Sequence, residues 1–355
     1  MSNLNFAPKI TVAGRVIGPG ESPFIIAELS ANHGGSLERA LRIIDTAADA
    51  GVDAIKFQAY TPDDLTLDSG KPGFVIEGDN PWKGRRLYEL YADAATPYEW
   101  FPKLYARARE KGLIPFTTPF GIGAIEMLEA LDTPAYKIAS FEAVDHELMK
   151  ACARTGKPIL ISTGMCDKTE IEEALQSLHG AGAREVAIFR CNSGYPAQLQ
   201  EANLIALTDM MQIFGLPTGY SDHTIGLAAS VAACALGASM IEKHVIDAPE
   251  PPTADSSFSI TPAQLTQLVS MCRDAALARG EVAYGPSHKE KESLSFRRSL
   301  YASQDIAAGE TITTTNVRCV RPGFGLHPRH FPEVLGRTAR RAIAAGDPLS
   351  LDALG

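Results

Sequence analysis

Eight short apolar runs, at 24–27, 54–57, 113–116, 135–138, 159–162, 186–189, 217–220 and 239–242, punctuate the first three-quarters of the chain. Polar or charged residues stand inside or just after them, among them Glu28, Lys56, Lys137, Ser162, Ser221, His223 and His244. Short apolar runs of this kind have the character of strands buried on both faces. Most are separated by amphipathic stretches of helical length. In the stretch from Ser36, for example, Leu37, Leu41, Ile44 and Ala48 recur at helical spacing behind a serine placed to cap the helix. Alternation of strand and helix eight times over predicts a (β/α)8 TIM barrel, because crossover connections force parallel strands and this number closes. An open doubly wound sheet is the structural alternative. Both folds collect ligands at the carboxyl ends of their strands, so the polar endings converge in either.

The pattern changes near Gly280. A polar, charged connector at 287–293 precedes short strand-like segments broken by turns, which predicts a small β-rich domain. The expected organisation is a barrel with an N-terminal extension over 1–285, a linker over 286–294 and a β-rich domain over 295–355. A domain of about 60 residues buries little surface by itself and is expected to lean on something. Two Ala-Ala-Gly turns, at 307–309 and 344–346, precede Glu-Thr-Ile and Asp-Pro-Leu and hint at a weak internal duplication. Two ordinary hairpin turns are the plainer alternative.

Composition sets outer bounds. With 355 residues and 45% hydrophobic content the chain can bury a full core. No apolar run reaches membrane length and the N-terminus lacks a secretory pattern, so a soluble, cytoplasmic protein is expected. Six scattered cysteines, without a CxxC pair, are expected as free thiols. A formal charge of −9 argues against a nucleic-acid surface, so any anion must be held by local lysines, hydroxyls and amides.

His223 and His244 end adjacent strands, with Glu28 across the barrel, which suits a divalent ion with open positions. The alternative is that each imidazole only hydrogen-bonds a carbonyl. Lys56 and Lys137 interrupt apolar strands, where an unpaired ammonium is costly, so each should face an anion, a carboxylate or solvent inside the barrel. Two such lysines suggest a bound phosphate or carboxylate. Hydroxyls at Thr117, Thr118, Ser140, Ser162, Thr163, Ser193 and Ser221 supply neutral donors around them.

Together these residues amount to a family signature. Ala-Glu-Leu-Ser-Ala-Asn-His at 27–33, Ala-Ile-Lys-Phe-Gln at 54–58, Thr-Thr-Pro-Phe at 117–120 and Tyr-Lys-Ile-Ala-Ser at 136–140 are followed in order by four more motifs. These are Ile-Ser-Thr-Gly-Met at 161–165, Ser-Asp-His-Thr at 221–224, Glu-Lys-His at 242–244 and Arg-Pro-Gly-Phe-Gly at 321–325. The set closely resembles the sialic acid synthase family, barrels that carry a C-terminal antifreeze-like (SAF) domain.

The resemblance implies a metal-dependent condensation of phosphoenolpyruvate with the open-chain form of an N-acetylated sugar, giving a 3-deoxy-2-ulosonic acid and phosphate. It implies that His223 and His244 ligate manganese or a similar divalent ion such as magnesium or cobalt. Lys56, Thr118, Lys137, Ser140, Ser162, Ser193 and Ser221 would cradle phosphoenolpyruvate, and Glu28 would handle the proton of the water that adds to C2. Gln58, Glu142, Tyr195 and Asp255 would contact the sugar, and Arg321 would reach into the barrel of the other subunit of a domain-swapped homodimer. At 191–196 the chain departs from the usual family wording, which leaves Asn192 as the alternative to Ser193. Residues 81–100 resemble the branch whose acceptor is 2,4-diacetamido-2,4,6-trideoxy-L-altrose. Trp82, Tyr88, Tyr91 and Trp100 would there either pack over a methyl-rich sugar or form the core of a βα connection.

Three rival readings remain. A Schiff-base aldolase would use Lys56 or Lys137 as nucleophile. A metallohydrolase would need more ligands than two histidines and a glutamate. An ice- or sugar-binding module would leave the polar barrel mouth without a purpose.

Overall fold

A computed structural model describes residues 4–77 and 83–355. The chain divides into two compact units, the first ending at Gly280 and the second running Glu281–Gly355. The first is a closed barrel of parallel strands: β3 (Phe24–Glu28), β4 (Ala54–Ala59), β5 (Ile114–Pro119), β6 (Tyr136–Ile138), β7 (Ile159–Ser162), β8 (Val186–Cys191), β9 (Thr218–Asp222) and β10 (Met240–His244). They stand in sequence order, and β10 closes on β3 with His244 beside Glu28. Every apolar run became a strand. Several strands run one to three residues further than the apolar pattern, because the polar residues at their ends still pair along the ladder.

Alternation along each strand separates two cores. Ile25, Ala27, Ile55, Phe57, Ile159, Ile161 and Ile241 point outward and pack beneath the helices. Phe24, Ile26, Ala54, Phe116, Leu160, Phe189 and Met240 point inward. A hairpin of β1 (Ile10–Val12) and β2 (Arg15–Ile17) lies against the inward set and seals the amino-terminal end of the barrel with Ile10, Val12 and Ile17. Helix α1 (Leu37–Asp49) starts where expected, with Ser36 accepting from the Arg39 amide. Its buried face is Ala40, Ile43, Ile44 and Ala47, while Leu37, Leu41 and Ala48 pack at the margin. The face is thus turned by about one residue from the sequence pattern. Among the described residues no helix is long and apolar enough to cross a membrane.

In the second unit β11 (Ser299–Ala302) and β12 (Val317–Val320) form one antiparallel pair around Leu300, Ile306, Ile312, Val317, Val334, Ile343 and Leu354. Much of the remainder is turns and single bridges rather than strands. The connector at 287–293 contains a short helix, His288–Ser293, because Ser287 and Glu290 close a capping box at its start. The two Ala-Ala-Gly turns are built alike. Ala307 donates to the Glu310 carboxylate and Ala344 to that of Asp347; each acidic residue donates its own amide back, and Ile306 pairs with Ile343 through two 2.9 Å bonds.

Candidate active site

Period-two alternation aims the site. On β10, Glu242 and His244 share the inward face with Met240, while Lys243 points outward to Asp222 at 2.9 Å. On β3, Glu28 follows Ile26 inward, and on β4, Lys56 follows Ala54, which puts Gln58 one step nearer the mouth on the same side.

Four buried charges meet there. Lys56 Nζ lies 2.7 Å from Glu28, 3.4 Å from Glu242 and 3.0 Å from the hydroxyl of Thr118. Lys137 Nζ donates to Ser162 at 2.6 Å, lies 3.9 Å from Glu242 and stands over the Phe189 ring. Glu28 is 0% exposed, Lys56 3% and Lys137 1%. Complete burial pushes Glu28 up to about 7 even with Lys56 beside it. Burial would raise Glu242 as well, but Lys137 and Lys56 outweigh it and hold that carboxyl low. The two carboxyls are thus driven apart, one ready to exchange a proton near neutrality and the other fixed as an anion. Burial lowers Lys137, whereas at Lys56 the two glutamates outweigh burial and raise it.

Glu242 was not singled out from the sequence. The available signal was its position two residues before His244, which puts both on one face of a strand. The lysines' requirement for a carboxylate or an anion is met here by Glu28 and Glu242.

The hydroxyls divide into two groups. Ser221 donates to Glu242 at 3.2 Å, and Ser140 accepts from the Gly164 amide at 3.2 Å. Ser193 Oγ is buried without a hydrogen-bond partner among the described residues. A Cβ placed on Gly164 would lie 2.4 Å from Ser193 Oγ and 2.7 Å from Ser140 Oγ, so the glycine keeps open a small hollow between these two hydroxyls. Asn192 turns away, its amide donating to the Glu201 carbonyl and its oxygen accepting from Gly194. Thr117 and Thr163 also leave the mouth: Thr117 pairs with Tyr105 at 2.7 Å and Thr163 with the Phe189 carbonyl at 3.0 Å.

His223 and His244 come together with ring centroids 5.2 Å apart, beside Phe258 and Tyr195. His223 Nδ1 lies 2.8 Å from the Asn192 carbonyl, an acceptor only, so Nδ1 carries the proton and Nε2 offers a lone pair. The thiol of Cys191, another residue the sequence reading passed over, lies 3.8 Å from the same nitrogen. Burial, reinforced by His223 and Lys56, keeps His244 well below the ordinary histidine range and therefore neutral, and its Nδ1 has no hydrogen-bond partner, with Asp255 3.7 Å away. Burial lowers His223, but the Cys191 thiol and the Asn192 carbonyl outweigh it and raise it above the ordinary histidine value. His244 is therefore the neutral imidazole of the pair, and His223 offers its Nε2 lone pair once deprotonated. The two imidazoles fit a divalent ion with open positions, and no three His, Cys, Asp or Glu side chains among the described residues form a closed cage.

The remaining positions are spread around this centre. Glu142 is pushed up to about 7 by burial, and one of its oxygens is buried without a partner. Tyr91 packs on Tyr60, and its hydroxyl is raised by burial and by nearby Glu142. Trp100 instead packs edge-on against His33 and Tyr88 reaches Asp63, while Trp82 lies outside the described residues. Arg321 is exposed in the second unit, directly after β12.

A parallel (β/α)8 barrel with buried ammonium groups, carboxylates of divergent acidity and paired imidazoles at one rim defines a TIM-barrel enzyme. Residues 43–284 match the NeuB family and residues 297–355 the SAF domain. The chain is 42% identical over 326 residues to a pseudaminic acid synthase of Campylobacter jejuni, covering 92% of this chain and 95% of that one. It is 40% identical over 334 residues to a pseudaminic acid synthase of Helicobacter pylori, covering 94% and 98%. A crystal structure of an N-acetylneuraminic acid synthetase from Leptospira borgpetersenii in complex with citrate superposes with a TM-score of 0.72 at 32% identity, covering 81% of this chain and 96% of that one. The chain belongs to the NeuB family, the sialic acid synthases whose motifs it shares, and carries their SAF domain.

Proposed function

We propose that this protein is a nonulosonic acid synthase that condenses phosphoenolpyruvate with 2,4-diacetamido-2,4,6-trideoxy-L-altrose to give pseudaminic acid and phosphate. The observation that carries the reading is the pair of buried ammonium groups, Lys56 and Lys137, flanking Glu242 beneath the two imidazoles. Glu242 stays an anion but Glu28 can protonate near pH 7, so the two ammonium groups keep surplus positive charge for a small anion, and the adjoining imidazoles and acids suit an aldehyde. The choice of acceptor is supported by the two pseudaminic acid synthases and by Tyr91, an aromatic face close to Glu142. An N-acetylneuraminate or legionaminate synthase, taking another N-acetylated hexose, is the second reading.

In this scheme Lys56, Lys137, Thr118, Ser162 and Ser221 hold the carboxylate and phosphate of phosphoenolpyruvate, with Ser140 and Ser193 donating from the hollow above Gly164. His223 and His244 would hold a divalent ion, manganese or alternatively magnesium or cobalt, which when bound supplies Lewis-acid polarisation of the acceptor aldehyde. Gln58, Glu142, Tyr195 and Asp255 orient the open-chain sugar so that its aldehyde carbon meets C3 of the enol. Glu28, with its acidity near neutral, takes the proton of the water that adds at C2, after which the C2–O bond to phosphate breaks. Glu242 remains an anion throughout and holds both ammonium groups in place.

The SAF domain is proposed to lid the barrel of a second copy, bringing Arg321 to the sugar. Support comes from apolar side chains exposed on the βα loops at the barrel mouth, Ile122, Phe141, Val144, Met165 and Ile225, and from exposed Phe296 and Phe324 beside the Arg321 turn. Six free thiols and a glycolytic co-substrate support a cytoplasmic location. The test is to supply phosphoenolpyruvate, manganese and a panel of N-acetylated hexoses to the purified protein and to follow phosphate release. Release with the trideoxy-altrose derivative alone, abolished by EDTA, sustains the reading. Release with N-acetylmannosamine moves the acceptor, and a borohydride-trapped lysine adduct overturns the mechanism.

A further inference from the structure

The segment after β3 does more than connect it to α1. The loop that follows β10 is closed at its base by Ile246 bonding to Ile260 and by Ile260 bonding to His244, and its tip carries Asp255 and Phe258 over the two imidazoles. Asn32, fully buried, donates to the Val245 carbonyl at 2.9 Å and to Ser259 Oγ at 2.8 Å, and accepts from Thr253 at 2.5 Å. Arg39, with its side chain 6% exposed, spreads its guanidinium over Asp247 at 2.8 Å and the carbonyls of Ala248 at 2.9 Å and Pro251 at 2.8 Å. All hydrogen-bonding atoms of the Asn32 amide group and three nitrogens of Arg39 are thereby spent on one loop. Ser259, held by Asn32, in turn donates to the Asp255 carbonyl at 2.7 Å, and the Ala31 amide reaches the Asp255 carboxylate at 3.4 Å.

We infer that Asn32 and Arg39 form a two-point clamp that sets the position of loop 247–259, and through Asp255 and Phe258 sets how tightly the acceptor sugar binds. They are positioning residues whose hydrogen bonds go to this loop and not to Lys56 or Lys137, so their loss should be felt by the sugar and not by phosphoenolpyruvate. This rests on the proposed function and adds to it a determinant of acceptor affinity.

The test uses the full-length protein and three nearly isosteric changes: Asn32→Asp, which loses both amide donors; Thr253→Val, which removes one donor to Asn32; and Arg39→Lys, which keeps a charge for Asp247 but not the fork to the carbonyls. The probe is the open-chain alditol of the trideoxy-altrose derivative, titrated by calorimetry with manganese and phosphoenolpyruvate present. Loss of one or two such bonds should weaken it about fivefold to tenfold, with phosphoenolpyruvate affinity held within about twofold and faster amide exchange confined to 247–259. Unchanged alditol binding, or phosphoenolpyruvate weakened in step with it, overturns the clamp. Wild-type protein that binds phosphoenolpyruvate but no N-acetylated alditol overturns the proposed acceptor as well, which separates the two failures.

Discussion

Replacing Lys56 with methionine isolates the energetics of the buried charge cluster. The side chains are similar in length, so the change removes an ammonium with little change in packing. It leaves Glu28 fully buried with no other hydrogen-bond partner among the described residues, and it takes a partner from Thr118 and Glu242. Breaking one side of a buried ion pair costs about 3–5 kcal/mol. With an unfolding entropy of about 2.1 cal/mol/K per residue, a unit of this size should lose about 5–8 °C in Tm. Lys137→Met provides the contrast. Glu242 would keep Lys56 at 3.4 Å and Ser221 at 3.2 Å, so the loss should be smaller than for Lys56→Met. The pH dependence follows from Glu28. Its folded pKa, about 7, is above its unfolded value of 4.5, so its burial destabilises the fold above about pH 7 and ceases to do so below about 4.5. Without Lys56 the folded value rises further, so the Tm deficit of Lys56→Met should be largest above pH 7 and shrink towards pH 5. Differential scanning calorimetry of both variants from pH 5 to 8 is the assay. Equal deficits in the two variants, or a Lys56→Met deficit that grows on acidification, would refute the assignment of Lys56 as the cation that compensates Glu28.

Gly164→Ala should weaken phosphoenolpyruvate about tenfold or more while moving Tm by only a few degrees, because its new methyl fills the hollow between Ser140 and Ser193; calorimetric titration decides it. If Glu28 accepts a proton during turnover, kcat should climb as pH rises through about 7 and then level, and Glu28→Gln should abolish that limb; a limb unchanged in Glu28→Gln assigns it to another group. His244→Asn should raise the manganese dissociation constant, read by electron paramagnetic resonance, by at least about tenfold, and an unchanged constant would remove His244 from the ion's ligands.

The barrel was legible because its strands are buried on both sides, which leaves continuous apolar runs that need no tertiary information to be recognised. Glu28, Lys56, Lys137, His223 and His244 were legible for a related reason: a polar residue in or after such a run stands out against its apolar neighbours and must find a partner at the mouth or, as Lys243 does with Asp222, beneath the helices. Glu242 escaped because, as one letter of Glu-Lys-His, it reads like the outward-facing Lys243 until the register of β10 is known. Asp255 and Tyr195 came from resemblance alone. They ride on loops whose course depends on distant partners, Asn32 and Arg39 for one, and no local periodicity records such contacts. In the second unit, strand expectations overshot. Side chains such as Glu310, Asn316 and Asp347 satisfy the backbone that a ladder would otherwise have taken.

The hairpin of β1 and β2 turns the barrel into a dead-end well. The four charges on its floor are already almost sealed from solvent, Glu28 at 0%, Lys137 at 1%, Lys56 at 3% and Glu242 at 4% exposed. A charged molecule seated on that floor therefore acts on them as a new electrostatic neighbour rather than by driving off water, so that the acidity of Glu28 becomes a property of the filled well, distinct from that of the protein at rest.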